Sequence, residues 1–257
     1  MAKLSDAAAE AGFQLVHVAE TGSTNQLALA AAASGEERPT WFLADVQTAG
    51  RGRRGKVWST EPGNLSATLM LRDPAPATKI AELCFVSALA IDDAILTLAP
   101  DLESRLRLKW PNDGLIDGAK MIGILVEATT RGSLTHAVLG IGVNVRHHPG
   151  NAPYRTTSLN DEGFPVTRDQ LFAALTASMM RALSVWNCGE GFAAIRAGWL
   201  ARAAGLGQPI VVTHDKTRYE GIFAGLDPEG RLILDTPDGR QFLGVGEVSL
   251  MSQPMVH

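Results

Sequence analysis

The sequence predicts an α+β fold: a mixed or antiparallel sheet with helices packed on it, followed by a small all-β module. Three observations carry this prediction. Four segments have helical patterning, and the strand-like runs between them do not alternate strictly with helices. The last ~50 residues hold only short strand-like pieces and tight turns. A length of 257 residues fits one large domain, or one domain with a small module.

The elements of the main body follow from local patterns. Helices are predicted over 24–33, 78–98, 167–186 and 191–203, and strands over 13–18, 41–46, 65–71, 106–110, 121–126 and 137–145. Thr167 and Gln170 form a capping pattern at the start of the third helix. The apolar segment 80–98 contains Asp92 and Asp93, which would be costly in a bilayer. We therefore interpret it as a packed helix and expect no membrane span.

The C-terminal segment is predicted to be a separate module. Its strand-like pieces cover 210–213, 219–224, 232–235 and 241–245, with turn sequences such as Asp-Pro-Glu-Gly between them. Short strands joined by tight turns are typical of a small barrel resembling an SH3 module. We place the boundary near Gly205, which divides the chain into 1–204 and 205–257.

Composition excludes several classes of protein. Apolar residues make up 46% and charged residues 19%, which is ordinary for a globular chain and excludes extensive disorder. The net charge is −4, whereas proteins that coat nucleic acid are usually strongly basic, so any basic site must be local. Cys84 and Cys188 are too few for a disulfide framework and favour a reduced, cytoplasmic protein.

Residues 50–56, Gly-Arg-Gly-Arg-Arg-Gly-Lys, form the densest charged segment, here called the arginine loop. It satisfies the dinucleotide-binding pattern and most of the P-loop pattern, but both need a helix after the loop, and Pro62-Gly63 follows soon instead. Four positive charges in an acidic chain predict an anion site, because arginine binds phosphate or carboxylate bidentately. A solvated basic loop and an arginine–glycine RNA-binding segment are alternatives.

The segment 109–113, Lys-Trp-Pro-Asn-Asp, is the second polar motif. A strand that ends at Trp110, a Pro-Asn-Asp turn and a strand that begins at Lys120 together predict a hairpin. A carboxylate such as Asp113 can hold Mg²⁺ beside a nucleotide, and a lysine can neutralise a carboxylate and a phosphate that must meet. Turn chemistry alone also explains Pro-Asn-Asp.

Two shorter motifs complete the set. Gly140 and Gly142 interrupt a predicted strand, which usually marks close approach by a ligand or another backbone. Asn144, in the same apolar run, is either a satisfied core amide or a ligand contact. In the segment 21–25, Ser23 or Thr24 would cap the helix that follows, and a hydroxyl there could also meet a ligand.

The order and spacing of these motifs resemble those of the biotin protein ligases over about 18–250. The matching motifs are Ser-Thr-Asn at 23–25, Gln47 to Gly55 with Trp58, Lys109 to Asp113, Lys120 with Gly123 to Glu127, Gly140 to Asn144, and the glycine-rich tail. The resemblance implies a catalytic domain related to class II aminoacyl-tRNA synthetases and an SH3-like barrel. It also implies a two-step reaction. Biotin and MgATP form biotinyl-5′-AMP, and the biotin then passes to a lysine of the biotin carboxyl carrier domain of a biotin-dependent carboxylase.

The resemblance also implies the roles of individual residues. Arg53 and Lys120 would neutralise the reacting anions, and Asp113 would bind Mg²⁺ or help the attacking lysine. Thr24 and Gln47 would bind the ureido ring of biotin. The full set of implied binding residues is Ser23, Thr24, Asn25, Gln47, Gly50, Arg51, Gly52, Arg53, Arg54, Trp58, Lys120, Gly123, Gly142 and Asn144. Among these, Gly123 and Gly142 would leave room for the ring system, and Trp58 would pack near adenine when the arginine loop closes.

Two other functions compete with this one. A lipoate protein ligase shares the implied fold and the acyl-adenylate chemistry, although the dense arginine loop argues against it. A binding-only protein, either a biotin-sensing regulator or a scaffold that uses its SH3-like tail, would act without catalysis. Some biotin ligases carry an N-terminal helix-turn-helix domain of about 60 residues, whereas 22 residues precede Ser23 here. We therefore expect no specific DNA binding, and a monomer or homodimer.

Overall fold

The computed structural model describes residues 2–250, so Met1 and 251–257 of the predicted domains lie outside the described residues. The α-helices are α1 Asp6–Glu10, α2 Thr24–Ser34, α3 Leu83–Leu98, α4 Arg168–Trp186 and α5 Phe192–Ala201. The strands are β1 Gln14–Thr21, β2 Thr40–Gln47, β3 Leu65–Arg72, β4 Leu106–Lys109, β5 Asp113–Ile116, β6 Ala119–Arg131, β7 Leu134–Val143, β8 Pro209–His214, β9 Thr217–Leu226, β10 Leu232–Thr236, β11 Gly239–Leu243 and β12 Glu247–Leu250.

The larger sheet has seven strands in the order β1-β2-β3-β7-β6-β5-β4. β1 and β2 are parallel and joined through α2, and every other neighbouring pair is antiparallel. Alternate residues of β2 face opposite sides of this sheet. Phe42 packs with α2, whereas Trp41 and Leu43 join the main core with α3 and α4. The predicted mixed sheet in an α+β fold is therefore confirmed.

The segment 78–98 is buried, as expected, but it is not one helix. Residues Ala77–Glu82 form a 3₁₀ turn, and α3 begins at Leu83. Asp92 is 1% exposed on α3 and pairs with Arg202 at 2.9 Å. Burial raises the pKa of Asp92 to about 7, although the Arg202 charge opposes the rise. Within residues 2–250 no helix combines the length and the hydrophobicity that a membrane crossing needs.

The region between Trp110 and Lys120 differs from the predicted hairpin. An additional strand, β5, lies between β4 and β6 and is antiparallel to both. A four-residue strand that contains a glycine has no detectable periodicity, so the sequence did not predict it. The register places Asp113 opposite Lys109 on one side and Gly123 on the other. Asp113 is therefore the first residue of β5, paired with Lys109 of β4 and with Gly123 of β6, and it is not the last residue of a turn.

The C-terminal module is a five-stranded antiparallel sheet in the order β11-β10-β9-β8-β12. Four of its strands match predicted pieces, and β12 was not predicted. No pairing between the edge strands β11 and β12 closes this sheet within the described part of the chain. The module packs against the larger sheet: the Trp110 indole Nε1 donates to the Gly230 carbonyl at 3.3 Å, and Arg196 donates to the Leu226 carbonyl at 3.3 Å. β12 itself is contacted by Lys109 of β4, whose ammonium group donates to the Val248 carbonyl at 3.4 Å.

The capping box of α4 generates a stability prediction. The Thr167 hydroxyl accepts from the Gln170 amide, and the Gln170 side chain accepts from the Thr167 amide. Thr167→Ala should lower the free energy of unfolding by about 1 kcal/mol, because one orphan amide loses its acceptor. Urea denaturation measures this change. Thr97→Ala is the control, since the Thr97 hydroxyl donates to a carbonyl within α3 and caps no helix start. Equal losses in both variants would contradict the capping role.

Candidate active site

A cleft of about 300 Å³ opens on the face of the larger sheet that carries the start of α2. Its walls come from the arginine loop, from the β4–β6 region, from residues 153–155 and from the end of the C-terminal module. Lining residues that the sequence predicted are Ser23, Thr24, Asn25, Gln47, Arg51, Gly52, Arg53, Arg54, Trp58, Asp113, Lys120, Gly123 and Gly142. The chain therefore brings most of the predicted site residues to one place.

Backbone hydrogen bonds shape the arginine loop. The Gly52 amide donates to the Lys56 carbonyl at 2.7 Å, and the Trp58 amide donates to the Gly50 carbonyl at 2.9 Å. A Cβ on Gly50 would lie 2.3 Å from the Trp58 carbonyl oxygen, so this crossing needs glycine. The next α-helix after the loop is α3, beyond β3. The loop therefore lacks the helix N-terminus of a dinucleotide-binding site or a P-loop.

Three of the loop cations pair with carboxylates that belong to other elements. These pairs are Arg51 with Glu127 at 3.1 Å, Arg54 with Asp215 at 3.8 Å, and Lys56 with Glu247 at 2.7 Å. Glu127 belongs to β6, whereas the other two carboxylates belong to the C-terminal module. The loop is thus held from both sides of the cleft.

Arg53 has a different environment from the other loop cations. Its guanidinium donates to two neutral oxygens, the Asn112 amide oxygen at 3.4 Å and the Gly246 carbonyl at 3.5 Å. Both contacts are long, and neither partner carries a charge. The Arg53 charge is therefore not neutralised by these two hydrogen bonds and remains available to an anion in the cleft.

Asp113 lies between two lysine ammonium groups. The Lys120 Nζ is 2.6 Å from one carboxylate oxygen, and the Lys109 Nζ is 3.1 Å from the other. Burial alone would raise the pKa of Asp113, but attraction and hydrogen bonds from Lys120 and Lys109 outweigh burial and hold this pKa below its usual value. Asp113 is therefore an ionised anchor that positions both lysines.

The surroundings of Asp113 do not fit the predicted magnesium site. Mg²⁺ prefers oxygen ligands in octahedral geometry, whereas both Asp113 oxygens face ammonium groups that would repel a cation. No cluster of three carboxylate, histidine or cysteine side chains among residues 2–250 offers an alternative metal site. A strongly ionised carboxylate is also a weak general base. Both facts favour a positioning role for Asp113.

The floor of the cleft is a buried hydrogen-bond network. The Thr24 amide and hydroxyl donate to the Gln47 side-chain oxygen at 2.8 and 3.0 Å. The Gln47 amide nitrogen lies 3.3 Å from the Ser66 hydroxyl, and the Thr68 hydroxyl donates to the Asn25 side-chain oxygen at 2.7 Å. Thr24, Asn25 and Thr68 are each at most 4% exposed. Fixed amide and hydroxyl groups of this kind suit a polar ring ligand such as a cyclic urea.

The two predicted spacer glycines lie against Trp58. A Cβ on Gly123 or Gly142 would lie 2.7 or 2.5 Å from the Trp58 indole. The Lys120 Nζ lies 5.7 Å from the Trp58 ring centroid and 5.5 Å from that of Tyr154. The sequence did not predict Tyr154, because one aromatic residue in an irregular segment carries no pattern. The glycines allow the indole to approach the sheet, so Trp58 forms a wall of the cleft.

Two predicted binding residues, Gly50 and Asn144, do not line the cleft, and the predicted cap by Ser23 is not formed. Asn144 is 3% exposed, its side-chain nitrogen donates to the Thr157 carbonyl at 3.1 Å, and it does not line the cleft. The structure therefore favours the core amide, one of the two interpretations of Asn144. Ser23 precedes α2 at the N-cap position, but its side chain makes no capping hydrogen bond.

Comparison with known proteins places this cleft in a family. Residues 19–144 match the biotin/lipoate A/B protein ligase family, and residues 205–251 match the biotin protein ligase C-terminal domain. The biotin–[acetyl-CoA-carboxylase] ligase of Paracoccus denitrificans is 41% identical over 239 residues, which cover 90% of this chain and 98% of that protein. The chain belongs to the biotin/lipoate A/B protein ligase family. The resemblance to the biotin protein ligases is confirmed.

Two further relatives match most of this chain, one in sequence and one in structure. The bifunctional ligase/repressor BirA of Bacillus subtilis is 30% identical over 93% of this chain and 74% of its own length. A biotin protein ligase from Aquifex aeolicus, solved with biotin and ATP, superposes with a TM-score of 0.76 at 25% identity. That superposition covers 92% of this chain and 98% of the Aquifex chain. The ligase fold therefore extends over both the larger sheet and the C-terminal module.

The ionised state of Asp113 generates a pH prediction. Its pKa is lower in the folded chain than in the unfolded chain, so the stability it contributes is present above the unfolded value of about 4. That contribution is lost as the pH falls through the lower folded-state pKa. The difference in unfolding free energy between wild type and Asp113→Asn should therefore be larger at neutral pH and shrink in acid. Urea denaturation across pH measures it, with the exposed Asp238→Asn as control. A difference that grows in acid would contradict this environment.

Proposed function

We propose that this chain activates biotin with ATP to biotinyl-5′-AMP and transfers the biotin to a lysine of a biotin carboxyl carrier domain. One observation carries the proposal: the cleft joins a buried amide and hydroxyl floor to a wall of cations. Biotin has both features that this cleft would recognise, a cyclic urea and a carboxylate. The name of the Paracoccus relative and the ligands of the Aquifex structure support the same reaction.

The first step requires two anions to meet. A biotin carboxylate oxygen attacks the α-phosphorus of ATP, a new O–P bond forms, and the bond to pyrophosphate breaks. We propose that Lys120 contacts the carboxylate and the α-phosphate, and that Arg53 binds the phosphate oxygens. Positioned charges of this kind act where negative charge develops in the transition state. Mg²⁺ would arrive with ATP as part of the substrate.

The second step transfers the acyl group. A neutral lysine amine of the carrier attacks the biotinyl carbonyl, the amide bond forms, AMP leaves, and the amine loses its extra proton to solvent. Asp113 would keep Lys120 and Lys109 in place during both steps. The arginine loop and Trp58 would shield the mixed anhydride from water until the carrier lysine arrives.

Several finer features belong to the same proposal. The larger sheet would be related to class II aminoacyl-tRNA synthetases, and the C-terminal module would be an SH3-like domain that begins near Gly205. The proposed sites for biotin and nucleotide include Gly50, Gly52 and Arg54 of the loop. Reduced Cys84 and Cys188 are consistent with a cytoplasmic ligase. A homodimer remains a prediction that sedimentation would test.

The test of this function is an assay of the purified chain with ATP, biotin and a biotin carboxyl carrier domain. The expected products are pyrophosphate and a carrier that is heavier by one biotinyl group. A parallel assay with lipoate and a lipoyl domain separates the lipoate alternative. Labelling by lipoate alone would overturn the proposal. Biotin binding without a labelled carrier would indicate a biotin-sensing protein.

Removal of Lys120 should abolish most adenylation. Lys120→Ala is expected to slow pyrophosphate release by about 10²-fold or more, because a positioned charge is removed where charge develops. A coupled pyrophosphate assay measures the rate. Lys216→Ala, which changes an exposed lysine of the C-terminal module, is the control. A near-wild-type rate for Lys120→Ala would exclude the proposed role.

Removal of Arg53 should weaken retention of the adenylate. Arg53→Ala is expected to release biotinyl-5′-AMP at least about tenfold faster, because a charge-assisted contact to phosphate is lost. Free adenylate and labelling of bystander proteins report the leak. Arg218→Ala, which changes an exposed arginine paired with Glu220, should not leak. If Arg53→Ala holds the adenylate as long as wild type, Arg53 does not bind the phosphate.

The expectation that this ligase does not bind DNA specifically rests on its acidic net charge. Fluorescence anisotropy with DNA from upstream of biotin-synthesis genes should show no sequence-dependent binding at about 0.15 M salt, with or without biotinyl-5′-AMP. Nanomolar, sequence-dependent binding would contradict this expectation.

A further inference from the structure

Glu127 connects two parts of the cleft that are far apart in the sequence. Its carboxylate accepts from the Arg51 guanidinium at 3.1 and 3.2 Å and from the Asn25 amide nitrogen at 2.7 Å. Arg51 belongs to the arginine loop, and Asn25 belongs to the first turn of α2 at the cleft floor. The Glu127 carboxylate on β6 therefore binds both the arginine loop and the first turn of α2.

The contact to Asn25 continues into the floor. The Asn25 side-chain oxygen accepts from the Thr68 hydroxyl at 2.7 Å, and the Thr68 hydroxyl lies 2.8 Å from that of Thr24. A Cβ on Gly140 would lie 2.2 Å from the Asn25 side-chain oxygen, so the Asn25 amide packs directly against the backbone of β7. The Asn25 side chain therefore has little freedom to reorient, and its hydrogen bond restrains the position of the Glu127 carboxylate.

Arg51 is the more exposed partner in this arrangement. Its side chain is 38% exposed, whereas that of Glu127 is 26% exposed and Asn25 is 4% exposed. The loop side of the connection can therefore separate while the floor side stays in place. Hydrogen bonds to an ionised carboxylate are about twice as strong as neutral ones, so the Glu127 charge strengthens the attachment of Arg51, at the start of the loop.

We propose that Glu127 is a positioning residue that links the start of the arginine loop to the floor of the cleft, where biotin would bind. This inference rests on the proposed function, since the floor is taken to bind the ureido ring. Glu127 does not line the cleft and need not touch either substrate. It would set the position of the Arg51 backbone, and hence the affinity for biotin and the retention of the adenylate. Lys120 and Arg53 would carry the chemistry without it.

The first test is Glu127→Gln. The glutamine oxygen in the place of Oε2 can still accept from Asn25, but an amino group replaces the Oε1 that also accepts from Arg51, and the charge of the ion pair is lost, so the start of the loop is held less firmly. We expect the KM for biotin to rise about tenfold while kcat at saturating biotin changes by less than about twofold. Limited trypsin digestion should cut the loop faster in this variant, because its arginines become accessible. This readout does not depend on activity.

Arg51→Gln breaks the same ion pair from its exposed side and should also raise the KM for biotin and speed trypsin cleavage after the remaining loop arginines, Arg53 and Arg54. No constancy of kcat is expected of this variant, because Arg51 lines the cleft. The double variant should be no worse than either single variant, since one interaction is lost in all three. Glu220→Gln is the matched control, because it removes the carboxylate of an exposed ion pair with Arg218, outside the cleft. Its KM for biotin and its loop digestion should equal those of wild type.

Two results would overturn the inference. One is a Glu127→Gln variant with the biotin KM and loop digestion of wild type. The other is additive losses in the double variant, which would mean that the two residues act independently. If wild type makes no biotinyl-5′-AMP, the proposed function fails instead. The comparison of loop digestion between wild type and Glu127→Gln then still decides whether Glu127 holds the loop.

Discussion

The ion pairs of Asp113 with Lys109 and Lys120 are the contacts on which the arrangement of the cleft depends. The ammonium groups of Lys109 on β4 and Lys120 on β6 would repel each other, and the carboxylate of Asp113 on β5, the strand between them, attracts both at 3.1 and 2.6 Å. Water is largely excluded there, so the interaction is stronger than on the surface. Because the carboxylate stays ionised, it holds both lysine side chains in place, which is what a site for two reacting anions needs.

The same balance of charge governs the arginine loop. Four cations in six residues can stay together because carboxylates from β6 and from the C-terminal module face three of them. Each of these pairs is at least partly exposed and individually weak. A loop held by several weak contacts can open for substrates and close again. Arg53, which donates to the neutral oxygens of Asn112 and Gly246, keeps its charge for the ligand.

The floor obeys a different constraint, because its polar groups are buried and must be satisfied within the chain. Gln47 and Thr68 achieve this by bonding to groups from α2 and β3. A network that is already satisfied is rigid, and a ligand that enters meets donors and acceptors in fixed positions. The small glycine surfaces of β6 and β7 let Trp58 lie directly on the sheet beside this floor. The rigid floor and the arginine loop, which ion pairs hold in place, together form the cleft.

The sequence by itself determined the fold class, most element positions and most of the residues that line the cleft. These features depend on local patterns: a capping pair at Thr167, glycines in a strand, and cations crowded into one loop. It could not place Asp113 between Lys109 and Lys120, because that depends on a short strand with no periodicity. It also left open whether Asn144 is a core amide.

Only the tertiary structure decided which groups neutralise the cations. Glu127 is 76 residues from Arg51 in the chain, and the hydrogen bonds between them form only after β6 reaches the loop. Glu247 approaches Lys56 only because the C-terminal module packs beside the larger sheet. Pairings between distant segments have no local pattern, since they depend on sheet register and on the packing of one sheet against another. The sequence therefore predicted the charges of the site, and the fold determined how each charge is held.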